Sequence, residues 1–194
     1  MHTSDKGSGD GGDGGGENKD PALPSILIPE INLKRRIAEL AQEINHDYRG
    51  KDIVAVCVLK GSFIFFADLI RHLDLKLSCE FLGVSSYGNK MVSSGEVKVT
   101  LDLNDPIEGK DVLIVEDIVD SGLTINYIVN TLRARKPASV RTCSLLFKPE
   151  CLKTEVQLDY VGFKIGKEFV VGYGVDYAGR FRGLPYIGFI EHGH

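Results

Sequence analysis

No apolar stretch in these 194 residues approaches the roughly 18 needed to cross a bilayer. The N-terminus also lacks the basic-then-apolar pattern of a secretory leader. Positive charge is not in excess: 23 Lys and Arg stand against 27 Asp and Glu, for a formal net charge of −4. General affinity for nucleic acid rests on concentrated Lys and Arg, so that class of partner is disfavoured. Cysteine is scarce, and Cys57, Cys79, Cys143 and Cys151 show no CxxC spacing. The first three sit in or beside apolar strand-like runs, so the set reads as small buried residues rather than metal ligands or a disulfide framework. Two phosphate-binding signatures are also missing. There is no GxxxxGK[ST], and no GxGxxG follows a strand, which removes the usual support for nucleoside triphosphate or dinucleotide sites. The expectation is a cytoplasmic protein with neither nucleic acid nor membrane as partner.

The composition is that of a globular protein, 43% hydrophobic and 26% charged. The length suits one domain with a sizeable core. Residues 1–24 differ in kind: Gly7 to Gly16 is mostly Gly with Asp and Ser, and Glu17 to Asp20 is wholly polar. Such a segment buries too little apolar surface to offset its ordering entropy, so it reads as a disordered tail before a single domain over 25–194. Leu33, Ile37, Leu40, Ala41 and Ile44 recur at helical spacing. Strand-like runs follow at Ile53 to Leu59, Ser78 to Val84, Val97 to Leu101, Val112 to Val115 and Val140 to Phe147, with helical patterns at Phe63 to Leu73 and Ile125 to Leu132. Alternation at these lengths predicts right-handed βαβ crossovers and a mostly parallel sheet, with ligands beyond the carboxyl ends of its strands.

The run from Val112 to Thr124 is the most informative. Four apolar residues predict a buried strand, the carboxylates Glu116 and Asp117 cap its end, and a small, hydroxyl-rich turn (Ser121, Gly122, Thr124) leads into a helix. In such a turn backbone N–H groups converge, and the helix adds its unpaired donors and the positive end of its dipole. That is a phosphate cradle, and the adjacent acids suit sugar hydroxyls, a divalent metal, or both. Acid pairs at the ends of parallel strands also occur in phosphatases and receiver domains. A second break, Lys60-Gly61-Ser62, falls at another strand end, as does Lys148 after Phe147. The stretch from Glu168 to Gly188 sets aromatic and aliphatic side chains around Gly-permitted bends, with Asp176, Arg180 and Arg182 close by, which suits a planar heterocycle.

LKGS at 59–62, SSYG at 85–88, VLIVEDIVDSGLT at 112–124, LLFKP at 145–149 and EFVVGYGVDYAGRFRGLPYIG at 168–188 stand in this order. Together they resemble the hypoxanthine-guanine phosphoribosyltransferases, the purine-salvage branch of the type I phosphoribosyltransferases. The resemblance covers most of residues 50–192. It implies an α/β fold: a twisted, mostly parallel sheet flanked by helices (core about 36–149), with a small hood from about 25–35 and 150–194. It implies transfer of the 5-phosphoribosyl group of phosphoribosyl pyrophosphate to N9 of hypoxanthine or guanine, giving IMP or GMP and pyrophosphate, with Mg²⁺ as cofactor. Homodimers or homotetramers are usual in the family.

Residue by residue, the resemblance places Asp120, Ser121, Gly122, Leu123 and Thr124 around the 5-phosphate, and Glu116 and Asp117 at the ribose hydroxyls and the metal. Asp120 would also be the catalytic residue near purine N7, as a carboxylate both accepts a proton and stabilises positive charge. Lys148 would donate to O6, favouring 6-oxopurines over adenine, whose 6-amino group is no acceptor. Phe169 would stack on the base while the Val170 backbone reads its edge. Asp176 would hold Mg²⁺, directly or through water, and Lys60, Gly61 and Arg182 would bind pyrophosphate. Ser86 and Tyr87 belong to a stretch from 85 to 96 that resembles the family's mobile lid. Position 123 is Leu where some relatives carry Lys, so a charged contact there is absent. Two rival readings are a phosphoribosyltransferase-fold regulator without catalysis and an enzyme for another base. The base pocket (Lys148, Phe169, Asp176) with Asp120, and the absence of a basic face, weigh against the first; Lys148 and the run FVVGYGVDY at 169–177 weigh against the second.

Overall fold

The computed structural model describes residues 23–86 and 97–190. In chain order these form β1 (Ser25–Ile28), α1 (Glu30–Asp47), β2 (Asp52–Leu59), α2 (Phe63–Ile70), β3 (Lys76–Ser86), β4 (Val97–Leu101), β5 (Asp111–Val119), α3 (Leu123–Arg133), β6 (Ser139–Phe147), β7 (Tyr160–Lys164), β8 (Val170–Val171) and β9 (Ile187–Phe189). Among the described residues, six strands form one sheet in the order β4-β3-β2-β5-β6-β7, and β1-β9-β8 form a second, small one. The large sheet is parallel throughout except for β4, which pairs antiparallel with β3 at the edge.

β2 is apolar without a break from Ile53 to Leu59, and β5 from Val112 to Val115, because helices cover both faces of the sheet. Ile53, Ala55 and Cys57 point to one side, where they pack with Leu33, Ile37 and Leu40 of α1 and Phe65 and Leu69 of α2. Val54, Val56 and Val58 point to the other, against Ile125, Ile128 and Leu132 of α3. Each Leu or Ile buried this way stabilises the fold by roughly 1.5–3 kcal/mol relative to exposure. At the far edge, Arg36 of α1 donates from Nε to Gly162 O (3.2 Å) and from Nη2 to Val161 O (2.9 Å), both on β7. Its Nη1 is held by Glu39 and Glu43.

Several elements differ from the sequence expectation. α2 stops at Ile70 rather than Leu73, because the N–H groups of His72 and Leu73 close back on Leu69 O and Ile70 O in i→i+3 turns. β5 runs on to Val119, since β6 supplies partners to that point: Glu116 opposite Ser144, Ile118 opposite Leu146, Val119 opposite Phe147. The two acids therefore lie within the strand instead of capping it. Cys79 is exposed, not buried, because its half of β3 has a neighbouring strand on one side only; β4 reaches no further than Gly83. Cys151 is half-buried, and all four cysteines are free thiols, with Cys57 and Cys143 buried. The small sheet draws on narrower segments than the hood expected at 25–35 and 150–194. α1 starts at Glu30 and packs on the large sheet, and β7 joins that sheet as its last strand. The tail over residues 1–22 lies outside the described residues.

Candidate active site

Leu59 and Val119, at the carboxyl ends of β2 and β5, open onto one cavity of about 370 Å³. Its lining includes Lys60, Gly61, Glu116, Asp117, Asp120, Ser121, Gly122, Thr124, Asp176 and Arg182. Ten of the sequence-predicted site residues thus meet in one place. Lys148 joins through its ammonium group, 3.7 Å from Asp120 Oδ2. This lysine is only 6% exposed, so it is held between the end of β6 and the loop after β5 rather than solvated. Leu123, Phe169 and Val170 do not line the cavity. Of the lid expected over 85–96, Ser85 and the backbone of Ser86 belong to β3, while the side chain of Ser86, Tyr87 and the rest of 87–96 lie outside the described residues.

The turn from β5 to α3 is built around Gly122, which caps the helix in the left-handed region at φ 81°. A Cβ there would sit 2.5 Å from Val156 Cγ2 and 3.1 Å from Leu152 Cδ2, so glycine is required by both conformation and space. The N–H of Lys153 donates to Ser121 O at 2.9 Å, and Asn126 Nδ2 donates to Glu155 O at 2.8 Å. The segment after Lys148 therefore braces the turn expected to cradle a phosphate. Cys151 lies beside Asp120, and burial first and that charge second push its thiol pKa up.

Glu116 and Asp117 are 8% and 9% exposed. The N–H of Asp117 donates to Glu116 Oε1 at 3.2 Å, while the buried Glu116 Oε2 has no partner among the described residues. Burial, then the neighbouring Asp117 charge, raise the Glu116 pKa well above the ordinary carboxylate range. Gly61 passes so close to Asp117 that a Cβ on it would meet Oδ2 at 1.6 Å. Asp176 stands apart from this pair: its Oδ1 accepts from Arg182 Nη2 at 2.7 Å and its Oδ2 from the Gly179 N–H at 2.7 Å. Among the described residues, then, the three expected metal-binding acids do not gather into one group able to enclose an ion. Mg²⁺ is usually held by one or two carboxylates together with substrate phosphates and water. Hard carboxylate oxygens, one of them orphaned, beside a phosphate cradle fit that pattern.

The loop after β8 carries three consecutive residues at positive φ: Gly172 (99°), Tyr173 (48°) and Gly174 (102°). A Cβ on Gly174 would lie 2.0 Å from Gly61 O, so this loop rests directly on the turn after β2. Arg182 Nη1 donates to Gly174 O at 2.6 Å. Phe169, 40% exposed, packs edge-to-face on Tyr177 with ring centroids 5.5 Å apart, outside the cavity lining. Val170 is buried as β8 pairs with Phe189. The sequence reading missed the apolar wall of the cavity (Val84, Ile118, Ile125 and Val175). Each is an ordinary core-type residue in its local pattern, and only the strand order brings them to the site. It also missed Tyr173, for which the flanking glycines were the available signal.

The chain matches the phosphoribosyl transferase domain family over residues 29–178. It is 48% identical over 178 residues to the bifunctional protein TilS/HprT of Listeria monocytogenes, an alignment that takes in 92% of this chain and 28% of that protein. The chain thus spans little more than a quarter of that relative. It is 47% identical over 169 residues to the hypoxanthine-guanine phosphoribosyltransferase of Bacillus subtilis, covering 87% of this chain and 94% of the other. Among solved structures, a hypoxanthine phosphoribosyltransferase from Staphylococcus aureus superposes with a TM-score of 0.83 at 44% identity, covering 87% of this chain and 92% of that one.

Proposed function

This chain belongs to the phosphoribosyltransferase family, in its hypoxanthine-guanine branch, and on that premise we propose that it transfers the 5-phosphoribosyl group of phosphoribosyl pyrophosphate to N9 of hypoxanthine or guanine. Its fold is the type I phosphoribosyltransferase fold, a mostly parallel sheet flanked by helices. The observation that carries the reading is the Lys148–Asp120 pair, a buried ammonium group facing a largely exposed carboxylate, standing next to the phosphate cradle. A 6-oxopurine offers an acceptor at O6 and a basic N7. The Lys148 ammonium donates to the first, and Asp120 accepts a proton from, or stabilises positive charge at, the second.

Bond breaking at C1′ leaves positive charge on the ribose and additional negative charge on the diphosphate. The backbone and hydroxyls of Ser121 to Thr124 hold the 5-phosphate at the α3 N-terminus. Glu116 and Asp117 accept from the ribose hydroxyls, and Lys60, the N–H groups of the Gly61 turn and Arg182 receive the departing diphosphate. Glu116, Asp117 and Asp176, the last directly or through water, would hold Mg²⁺ together with substrate oxygens, and the ion would supply further charge neutralisation. Phe169 stacks on the base and the Val170 backbone reads its edge.

A single domain over 25–194, a cytoplasmic location and assembly into a homodimer or homotetramer complete the proposal. The free thiols support the location, and the exposed Phe63 and Phe81 support burial against another copy. Among the described residues no helix is long and apolar enough to cross a membrane. The test is a spectrophotometric assay with phosphoribosyl pyrophosphate and Mg²⁺, offering hypoxanthine, guanine, xanthine and adenine separately to the wild type and to Asp120→Asn. Nucleotide formed from hypoxanthine or guanine, not from adenine, and strongly slowed in the variant, is expected. Turnover of adenine alone overturns the role of Lys148. Binding of phosphoribosyl pyrophosphate without turnover of any base overturns the enzyme reading.

A further inference from the structure

Two residues outside the cavity join its two halves. Asp68 lies on α2, the helix that starts directly after Lys60-Gly61-Ser62. Ser62 is fully buried, with its hydroxyl donating to Val58 O, and its own carbonyl accepts the Phe66 N–H at 2.7 Å. α2 and the Lys60-Gly61 turn therefore move as one piece. On the other side, Tyr173 lies at the centre of the positive-φ run, a conformation that disfavours a residue with a Cβ by roughly 1–2 kcal/mol. Such a residue persists where its surroundings hold it. The ring of Tyr173 is 5% exposed, its N–H donates to Leu184 O at 2.9 Å, and its hydroxyl donates to Asp68 Oδ2. From the next residue the connection runs straight to the site. The Gly174 N–H donates to Arg182 O at 2.9 Å, Gly174 O accepts from Arg182 Nη1, and Arg182 Nη2 holds Asp176.

We infer that the Tyr173–Asp68 hydrogen bond is a positioning contact for the diphosphate, setting Arg182 and Asp176 in register with the Lys60-Gly61 turn. The inference rests on the proposed function, in which these groups receive the diphosphate. Neither Tyr173 nor Asp68 lines the cavity, so both act through other residues. A diphosphate bridges groups carried by two separate parts of the chain, and a bridging ligand is recognised only when their spacing is preset. Contact between Gly174 and Gly61 sets how close the two parts come; the phenol–carboxylate bond limits how far one slides along the other. The part of base recognition that rests on Lys148 and Asp120, at the ends of β6 and β5, does not pass through this contact.

The experiment compares Tyr173→Phe, Asp68→Ala and Asp68→Asn with the wild type. It reads KM for phosphoribosyl pyrophosphate in the forward direction, KM for pyrophosphate in reverse, KM for hypoxanthine, kcat and thermal midpoint. Tyr173→Phe and Asp68→Ala should raise both diphosphate KM values by about tenfold, the scale of one charge-assisted hydrogen bond lost. KM for hypoxanthine and kcat should stay within about twofold. Asp68→Asn keeps an acceptor for the phenol and should restore most of the affinity. The Asp68 pair reads the contact from its other side if Tyr173→Phe misfolds. A parallel rise in KM for the base and the diphosphates, a lowered midpoint with no KM split, or Asp68→Asn as impaired as Asp68→Ala overturns the inference. Arg182→Ala separates it from the reading beneath. If that variant raises the diphosphate KM values and Tyr173→Phe does not, the positioning role alone fails. If Arg182→Ala leaves them unchanged, the assignment of the diphosphate site fails.

Discussion

Replacing Gly61 by alanine would put a methyl carbon 1.6 Å from Asp117 Oδ2 and 2.4 Å from its Cγ, where nonbonded heavy atoms prefer about 3.5 Å. One group has to retreat by about 2 Å. Gly61 cannot, because its carbonyl is packed against Gly174 so closely that a Cβ there would reach to 2.0 Å. Asp117 has to swing, and its Oδ1 then gives up the N–H of Ile118, which it accepts at 2.8 Å. Overpacking of this kind costs about 1–3 kcal/mol, and the broken hydrogen bond adds about 1 kcal/mol. For a chain of this size each kcal/mol lowers the thermal midpoint by about 2–4 °C, so the expected fall is about 4–16 °C. Displacing the carboxylate proposed to face the ribose by more than 1 Å should lower kcat/KM for phosphoribosyl pyrophosphate by about 100-fold. The decisive assay is a double-mutant cycle with Asp117→Ala, followed by thermal unfolding. Without the carboxylate the methyl meets little, and Gly61→Ala should cost under about 1 kcal/mol in that background. An equal loss of midpoint in both backgrounds would refute the clash.

Two further outcomes are expected. The pKa of Glu116 is raised by burial first and by the Asp117 charge second, from an ordinary value of 4.5. Between that value and the higher folded one, the folded chain holds a proton that the unfolded chain has lost. Stability therefore falls as pH rises through the window, and the penalty is complete above the folded pKa. In metal-free protein, Glu116→Gln should match the wild-type midpoint near pH 4 and exceed it increasingly toward pH 8; a difference independent of pH rules this out. Lys148→Met keeps the buried stem and removes the ammonium. It should lower kcat/KM for hypoxanthine by about 10–100-fold while leaving KM for phosphoribosyl pyrophosphate within about threefold. Unchanged use of hypoxanthine would remove Lys148 from base recognition.

What was legible in the sequence was what local pattern controls. The five buried positions of α1 announce themselves by spacing alone, and all five are buried in the fold. The end of β5 was misjudged because carboxylates are poor strand residues in isolation. Pairing of Glu116 with Ser144 and of Val119 with Phe147 overrides that preference, and no local signal reports a partner 28 residues away. The turn from β5 to α3 could be read because one continuous segment builds it. The small sheet could not, since β8 and β9 are two and three residues long and exist only by pairing with each other and with β1. Asp176 and Arg182 were assigned to separate ligands. That they hold each other in this state follows from the bends at Ala178 (φ 50°) and Gly179 (φ 82°), which fold the intervening loop back on itself.

The contact of Arg36 with β7 bears on how the molecule behaves in a crowd. A sheet ends in a row of backbone groups that a second chain can copy, and such borders seed fibres and precipitates. At β7 the carbonyls of Val161 and Gly162 are already occupied by one guanidinium, itself pinned by Glu39 and Glu43. An incoming strand would have to displace a charged, forked donor before it could form its first rung. Lysine at the same place would keep the charge without the fork that spans two adjacent carbonyls. At Val161 and Gly162 this margin of the sheet is thereby guarded by a side chain from the neighbouring helix.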